Sequence, residues 1–201
     1  MIIDKLEERL TIRYPSSYIK KVHIDKADKD YVLRYRRKDI FADLILYDVE
    51  SSKPISTIEY DLHGDKCYIS YFKTDYDYQG KGIGKFLYQL AQAHADKLGL
   101  KFSDGYICPV DDIKGVSSDS DDNVEKEFKF LALMYHALGN KIIEKSNFQG
   151  VELTFEDNWK HGQKIKKLDE NQKEFLEKMV EYEMKQNQKY LESKNKKDKS
   201  K

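Results

Sequence analysis

Residues 66–84 read KCYISYFKTDYDYQGKGIG, and this stretch decides the fold. Its first part, residues 66–74, is rich in the β-branched and aromatic residues that favour a strand. Its last part places glycines at 80, 82 and 84, immediately before apolar residues that recur with the helical period of 3.6. The stretch therefore predicts a strand that turns through a glycine-rich loop into an amphipathic helix.

The segments on either side extend this unit. Two further predicted strands, residues 42–50 and 55–62, precede it and are separated by short turn clusters, so the three strands form an antiparallel meander. The helix ends at Gly99, and residues 100–108 predict another strand. A strand, helix and strand of this length predict a crossover that places the two strands parallel. His94 falls on the apolar stripe of the helix, which predicts packing at the edge of the core.

The remaining segments complete a mixed α+β pattern with a central, mostly antiparallel, twisted sheet flanked by helices. A helix at 1–10 and a strand at 31–37 are predicted near the N-terminus. A helix at 124–138, strands at 141–146 and 151–155, and a long charged helix from Leu168 to Leu191 follow. We divide the chain into a domain at 1–160 and a C-terminal helical appendage with a Lys-rich tail at 161–201.

Composition narrows the classes of function. Lys+Arg and Asp+Glu both total 36, so no net charge attracts nucleic acid or an anionic membrane, and we predict neither as a partner. No apolar run reaches the roughly 20 residues that cross a bilayer, and the acidic N-terminus does not read as a secretory signal. The two cysteines, Cys67 and Cys108, form no Cys-x-x-Cys pair. We predict a cytoplasmic protein without a metal site.

The glycine loop has the chemistry of a phosphate cradle. Glycine lets backbone amides approach a ligand closely, and the start of the following helix adds unpaired N–H groups and a positive dipole end. Two common nucleotide motifs do not fit, however. A P-loop requires Ser or Thr where Phe86 stands and Gly where Gln79 stands, and a Gly-x-Gly-x-x-Gly fingerprint requires Gly where Lys85 or Leu87 stands.

The residues do match the pattern Gln/Arg-x-x-Gly-x-Gly/Ala, in Gln79-Gly-Lys-Gly-Ile-Gly84. In its strand and helix context this closely resembles the coenzyme A diphosphate loop of the Gcn5-related N-acetyltransferase (GNAT) family. The resemblance implies the GNAT fold, acetyl-CoA as cosubstrate, and transfer of an acetyl group to a primary amine. It implies that loop amides bind the diphosphate and that the strand end pairs with pantetheine. The implied cofactor-binding residues are Phe72, Lys73, Thr74, Gln79, Gly80, Lys81, Gly82, Ile83, Gly84 and Lys85.

A second match supports the same family. Residues 133–139, Leu-Met-Tyr-His-Ala-Leu-Gly, resemble the family's helix that ends Phe-Tyr-x-x-Leu-Gly-Phe. By this resemblance Tyr135 is the catalytic acid that protonates the leaving thiolate, and a phenol with a pKa near 10 suits that role. Asn140 and Phe128 depart from the family pattern around this helix. The alternative is a tyrosine of the core or its rim.

The acceptor and its base stay open in the sequence. The position at which some relatives carry a catalytic Glu is Tyr68 here, and His136 points about 100° away from Tyr135 around the helix. The acidic candidates, each of which is more often an ordinary solvated acid, are Glu59, Asp61 and Asp104. An acidic stretch at 111–123 would attract a cationic amine, although a solvated loop is an equal reading.

Two other functions remain open at this stage. One is a GNAT-fold binding or regulatory module that holds coenzyme A with little or no turnover. The other is acylation of a macromolecule, with the C-terminal helix as a docking element. The apolar face of that helix could cover the domain or form a homodimer.

Overall fold

The structure, a computed structural model, places two α-helical layers on opposite faces of a mostly antiparallel sheet. It describes residues 2–102, 105–106, 131–132, 134–135, 138, 140–147, 150–157 and 168–198. Within these residues the main sheet has six strands in the order β1 to β6. None of the described helices is long and apolar enough to cross a membrane. The predicted mixed α+β architecture is confirmed.

The N-terminal segment forms a helix and a hairpin. Helix α1 spans Ile2–Arg13, strand β1 spans Tyr18–Ile24 and strand β2 spans Lys29–Lys38. The predicted helix and the predicted strand at 31–37 are confirmed, whereas β1 was not predicted. The adjacent Lys20 and Lys21 are both exposed and interrupt the alternation by which a strand is recognised. Strand β1 pairs antiparallel with β2 and lies at the edge of the sheet.

The predicted meander follows. Strand β3 spans Phe41–Asp48, β4 spans Pro54–His63 and β5 spans Lys66–Thr74, and successive strands pair antiparallel. The register of β4 against β5 shifts between Glu59 and Tyr60, which marks a β-bulge. A bulge adds local bend and twist to the strand that carries the extra residue.

The crossover that follows β5 is also as predicted. A 3₁₀ turn at Tyr76–Tyr78 and the glycine loop lead into helix α2, Ile83–Lys97. Gly99, with φ of 73°, adopts the left-handed conformation that ends many helices. Strand β6, Lys101–Phe102, then pairs parallel with the start of β5.

The next described strands form a smaller sheet. Strand β7 spans Gly105–Tyr106, β8 spans Asn140–Asn147 and β9 spans Gly150–Asp157, in the order β7-β9-β8. Both neighbouring pairs are antiparallel. Of the predicted helix at 124–138, residues 131, 132, 134 and 135 are helical, and residues 124–130 lie outside the described part of the chain, as does the acidic stretch at 111–123.

The two faces of the sheet carry different helices. On one face, α1 packs against Ile19, Val32 and Tyr47. The next residue after Val32, Leu33, points to the other face, because side chains alternate along a strand. There the larger core contains the apolar residues of α2 and of the C-terminal helix α3, Glu170–Asp198.

Helix α3 begins with a reciprocal cap. The Gln172 amide donates to Asp169 Oδ1 at 2.8 Å, and the Asp169 amide donates to Gln172 Oε1 at 3.1 Å. This is the arrangement of a capping box, with Asp169 at the N-cap and Gln172 at the third helical position. The same Gln172 side chain donates to the Phe86 carbonyl oxygen at 2.8 Å, which fastens α3 to α2.

The apolar face of α3 lies on the domain. Leu168, Phe175, Leu176 and Met179 are buried in the same core as α2 and the meander. The helix also contacts β1. The division of the chain at residue 160 stays a prediction, but the described part of α3 shares its core with the sheet.

A buried polar network joins α3 to the sheet and to α2. The Glu183 carboxylate, which only accepts, receives hydrogen bonds from the Tyr35 hydroxyl, from Arg37 Nη1 at 3.1 Å and from His94 Nε2 at 3.2 Å. The other ring nitrogen of His94, Nδ1, lies 2.8 Å from the Tyr60 hydroxyl oxygen, at hydrogen-bond distance. His94 therefore lies fully inside the core, deeper than its predicted place at the edge.

The network also sets the ionisation of Glu183. Burial by itself raises the pKa of this carboxyl, but it is outweighed by the hydrogen bond and the Coulombic attraction of His94, then by the hydrogen bond from Tyr35 and the nearby charge of Arg37, which lower the pKa to about 2. Glu183 is consequently ionised at neutral pH inside the core, where each of its donors stabilises the charge.

The packing of α3 can be tested with two methionines on the same helix. Met179 is 0% exposed and Met184 is 68% exposed. We expect Met179→Ala to lower the free energy of unfolding by about 2–5 kcal/mol, because it leaves a cavity in the core. Met184→Ala should change it by less than about 0.5 kcal/mol. Urea denaturation followed by circular dichroism measures both, and equal effects would contradict this packing.

The Glu183 network predicts a pH dependence. A carboxyl whose pKa is lowered by folding stabilises the fold above its unfolded pKa, and that stability is lost as the pH falls through its folded pKa. We expect Glu183→Gln to be less stable than the wild type at pH 7, and the difference to shrink as the pH falls from about 4.5 towards 2. Urea midpoints at several pH values measure it. The exposed Glu181→Gln is the control, and a pH-independent difference would count against the network.

Candidate functional site

The loop between β5 and α2 depends on backbone conformations that favour glycine. Gly80 and Gly82 have φ of 79° and 81°, in the left-handed region that L side chains rarely adopt. Gly82 stands at the N-cap of α2, and no side chain caps the helix there. The first hydrogen bond of helical type runs from the Phe86 amide to the Gly82 carbonyl oxygen at 2.9 Å.

The open helix start provides donors for an anion. The first amides of an α-helix have no acceptor within the helix, and they point outward from its positive dipole end. In α2 these are the amides of Ile83, Gly84 and Lys85. Together with the amides of the left-handed glycines before them, they form a concave set of N–H groups of the kind that binds phosphates.

The third glycine is needed for a different reason. A Cβ at Gly84 would lie 3.2 Å from Thr74 Oγ1 and 3.3 Å from Cζ of Phe72. The first turn of α2 thus lies directly against the end of β5. The three residues Phe72, Thr74 and Gly84, predicted from sequence as parts of one site, are brought together by this contact.

Hydrogen bonds hold the end of β5 in place. The Ser56 hydroxyl lies 2.8 Å from Thr74 Oγ1 and donates to the Lys73 carbonyl oxygen at 3.0 Å. The Gln79 side-chain amide donates to the Thr74 carbonyl oxygen at 3.0 Å. Gln79 therefore fastens the loop to the strand that precedes it.

One edge of β5 is largely open. In the described part of the chain, β6 pairs with β5 at Lys66 and Cys67 and no further. The Lys73 carbonyl faces Ser56 on β4, and successive strand residues point their backbone groups in opposite directions. The backbone groups of Phe72 and Thr74 accordingly face away from β4, where the Thr74 carbonyl oxygen already accepts from Gln79 and where an extended ligand could add as a further strand.

The charges around the loop are of both signs. Lys81 and Lys85 are exposed, and Lys81 Nζ lies 5.2 Å from the centre of the Tyr78 ring. Asp75 and Asp77, also exposed, precede the loop. The cations therefore stand at the start of the helix, and the acids stand at the end of the strand.

Tyr135 is connected to this region through aromatic rings. It is 8% exposed, and its ring lies 6.0 Å from that of Tyr88, which lies 5.9 Å from that of Phe72. Burial raises the pKa of Tyr135 to about 12, above the value near 10 expected from sequence. The phenol is therefore protonated at neutral pH. Its predicted catalytic role stays a prediction.

The candidate bases are placed as follows. Glu59 on β4 is exposed, and Asp61 accepts a hydrogen bond from the Ser70 hydroxyl at 3.2 Å. Tyr68, at the position where some relatives carry Glu, is 37% exposed. Asp104 and His136 lie outside the described residues, as does Cys108.

A comparison with known families agrees with the fold and the loop. Residues 4–103, which run from α1 through the glycine loop to β6, match the profile of the acetyltransferase (GNAT) family. Residues 4–103 belong to this family. The matched GNAT region begins in α1 and ends before Tyr135.

Solved structures share the GNAT architecture. The cAMP-binding acyltransferase from Mycobacterium smegmatis aligns with a TM-score of 0.52 and 13% identity, over 89% of this chain and 58% of that one. The PaiA N-acetyltransferase from Thermoplasma acidophilum, solved in complex with coenzyme A, aligns with a TM-score of 0.40 and 19% identity, over 58% and 60%. The aligned part thus spans about 60% of the length of either protein. No curated protein sequence matches this chain significantly.

Sequence reasoning missed one residue at the loop. A Cβ at Gly82 would lie 3.0 Å from both Cβ and Cδ of Lys26, in the 3₁₀ turn Asp25–Ala27 between β1 and β2. Because β1 was not predicted, no pattern in the sequence could place this turn beside a loop more than 50 positions further along the chain.

Proposed function

We propose that this protein binds acetyl-CoA at residues 79–85 and along the open edge of β5, and transfers the acetyl group to a primary amine. The family of residues 4–103 supports acyl transfer. The observation that supports coenzyme A binding is the conformation of the loop, in which left-handed glycines lead into a helix without a side-chain cap.

The loop suits the diphosphate of a coenzyme A. Gly80, Gly82 and Gly84 carry no side chains that could screen their backbone amides, and the amides from Gly80 to Lys85 would donate to the diphosphate oxygens. Lys81 and Lys85 add positive charge at the surface, which favours an anionic ligand.

The edge of β5 suits the pantetheine arm. Pantetheine is extended and carries two amides, so it can pair with the outward-facing backbone groups of Phe72 and Thr74 in the manner of an added strand. The contact of Gly84 with both side chains fixes the distance between this edge and the diphosphate cradle. The thioester would then lie further along β5, towards Tyr68.

The chemistry requires two proton movements. The nitrogen of a neutral amine attacks the thioester carbonyl carbon, the C–S bond breaks, and an amide and a thiolate form. The amine loses one proton to a base or to water, and the thiolate gains one. We assign the second proton to the Tyr135 hydroxyl. Burial raises the pKa of the Tyr135 phenol and so weakens it as an acid. The pKa of the coenzyme thiol is also raised in a dry site, so the gap between the pKa of the phenol and that of the thiol is smaller than the Tyr135 shift alone suggests.

The coenzyme site is tested by a pair of glycine variants. Gly82→Ala places a Cβ against Lys26 in a left-handed residue of the loop. Gly99→Ala imposes a similar backbone strain at the other end of α2, where nothing lies within 4 Å. We expect Gly82→Ala to weaken acetyl-CoA binding by tenfold or more in calorimetry, because it distorts the cradle. Gly99→Ala should bind as the wild type does; equal binding by all three proteins would remove the loop from the site.

The role of Tyr135 is tested by Tyr135→Phe. We expect the rate of thiol release from acetyl-CoA, measured with a panel of polyamines, amino acids and peptides, to fall about 100-fold in kcat. The affinity for acetyl-CoA should be retained, since the change removes one hydroxyl group. Tyr182→Phe on α3 is the matched control. An unchanged kcat would exclude Tyr135 from the reaction, and a wild type that binds acetyl-CoA without thiol release would support a binding module instead.

A further inference from the structure

The turn between β1 and β2 brings a lysine onto the glycine loop. The aliphatic stem of Lys26 occupies the place that a side chain at residue 82 would take, with Cβ and Cδ both 3.0 Å from that position. Gly82 is thus held to glycine by its φ of 81° and also by this neighbour. The β1–β2 turn and the glycine loop, which are far apart in sequence, are therefore neighbours in the fold.

The ammonium group of Lys26 is accessible to a ligand. Within the part of the chain that the structure describes, Lys26 makes no ion pair or hydrogen bond, and the residue is exposed. The neighbouring acids Asp25 and Asp28 lie 3.9 and 4.0 Å from Nε2 of His23. A lysine whose stem lies on a surface keeps its charged end in solvent, where it can meet a ligand.

The position of this charge is informative. Nζ is two bonds from Cδ, and Cδ would lie 3.0 Å from a Cβ at residue 82, so the ammonium group is within reach of the loop that presents the amides. Lys81 and Lys85 stand on the same loop and helix start. Lys26 is a cation that comes from outside this segment, and it lies in the turn of the β1–β2 hairpin at one edge of the described sheet.

We propose that the ammonium group of Lys26 binds a phosphate of the coenzyme, so that the β1–β2 turn forms part of the cofactor site. This inference rests on the proposed function. Phosphate is the chemistry that a solvent-facing ammonium beside a set of backbone amides recognises. Coenzyme A contains two such groups, the diphosphate and the 3′-phosphate, and an experiment can tell which of them Lys26 binds.

The test removes the charge and keeps the stem. Lys26→Met retains an unbranched side chain against Gly82, and Lys97→Met, at the other end of α2, is the matched control. Calorimetry with coenzyme A and with 3′-dephospho-coenzyme A gives the dissociation constants of the wild type and both variants. We expect Lys26→Met to bind coenzyme A about tenfold more weakly, with Lys97→Met unchanged. Lys26→Arg should restore most of the affinity, which a merely structural role of the stem would not explain.

Comparison of the two ligands shows which phosphate Lys26 contacts. If Lys26 binds the 3′-phosphate, its effect disappears with the dephospho ligand; if it binds the diphosphate, the same loss is seen with both. Coenzyme A binding by Lys26→Met within twofold of the wild type would overturn the inference and leave the proposed function intact. A wild type that binds neither ligand would overturn both.

Discussion

The chain passes from β5 into α2 through a turn that few sequences can make, and the rest of the site depends on this constraint. Two of its residues have positive φ, and a third, Gly84, lies against the side chains of Phe72 and Thr74. A Cβ at Gly84 would lie 3.2 and 3.3 Å from those side chains, which would have to shift by a few tenths of an ångström. The same geometry leaves the amides at the start of α2 without a side-chain cap, so the feature that makes the turn demanding also leaves N–H groups of the kind that can bind a phosphate.

Helix α3 stabilises the domain from the side opposite α1. It fills the larger core beside α2, and the Glu183 carboxylate lies among donors from β2 and α2. Breaking such a buried network by removing one partner is costly, because the remaining groups lose their hydrogen bonds in a place that water does not reach. The described part of the C-terminal helix therefore contributes to holding α2, and with it the cradle at the N-terminus of α2.

The sequence predicts the central part of the fold well because local signals and tertiary structure agree there. The meander, the crossover and the parallel strand β6 follow from alternation, turn residues and the change of period at Ile83. Strand β1 could not be recognised, since Lys20 and Lys21 are both exposed and break its alternation. The partner of His94 could not be recognised either, because Glu183 is 89 positions away and its helix is charged on most of its surface.

For the proposed site, the glycine-rich connection between β5 and α2 was predictable, and the residues that pack on it were not. The glycine spacing shows where the backbone must be open, but it does not show what packs on it. Lys26 reaches Gly82 through a turn that belongs to the unpredicted hairpin. The raised pKa of Tyr135 likewise depends on burial, which a helical period alone does not determine.

The account depends most on where the coenzyme binds, and hydrogen–deuterium exchange with and without saturating acetyl-CoA measures this directly. The amides of residues 80–86 should exchange more slowly with the ligand bound, together with those of Phe72 and Thr74 on the open edge of β5. The amides of α1, on the other face of the sheet, should not change. Slower exchange elsewhere with the loop unaffected, or no change anywhere in the protein, would contradict the proposed site.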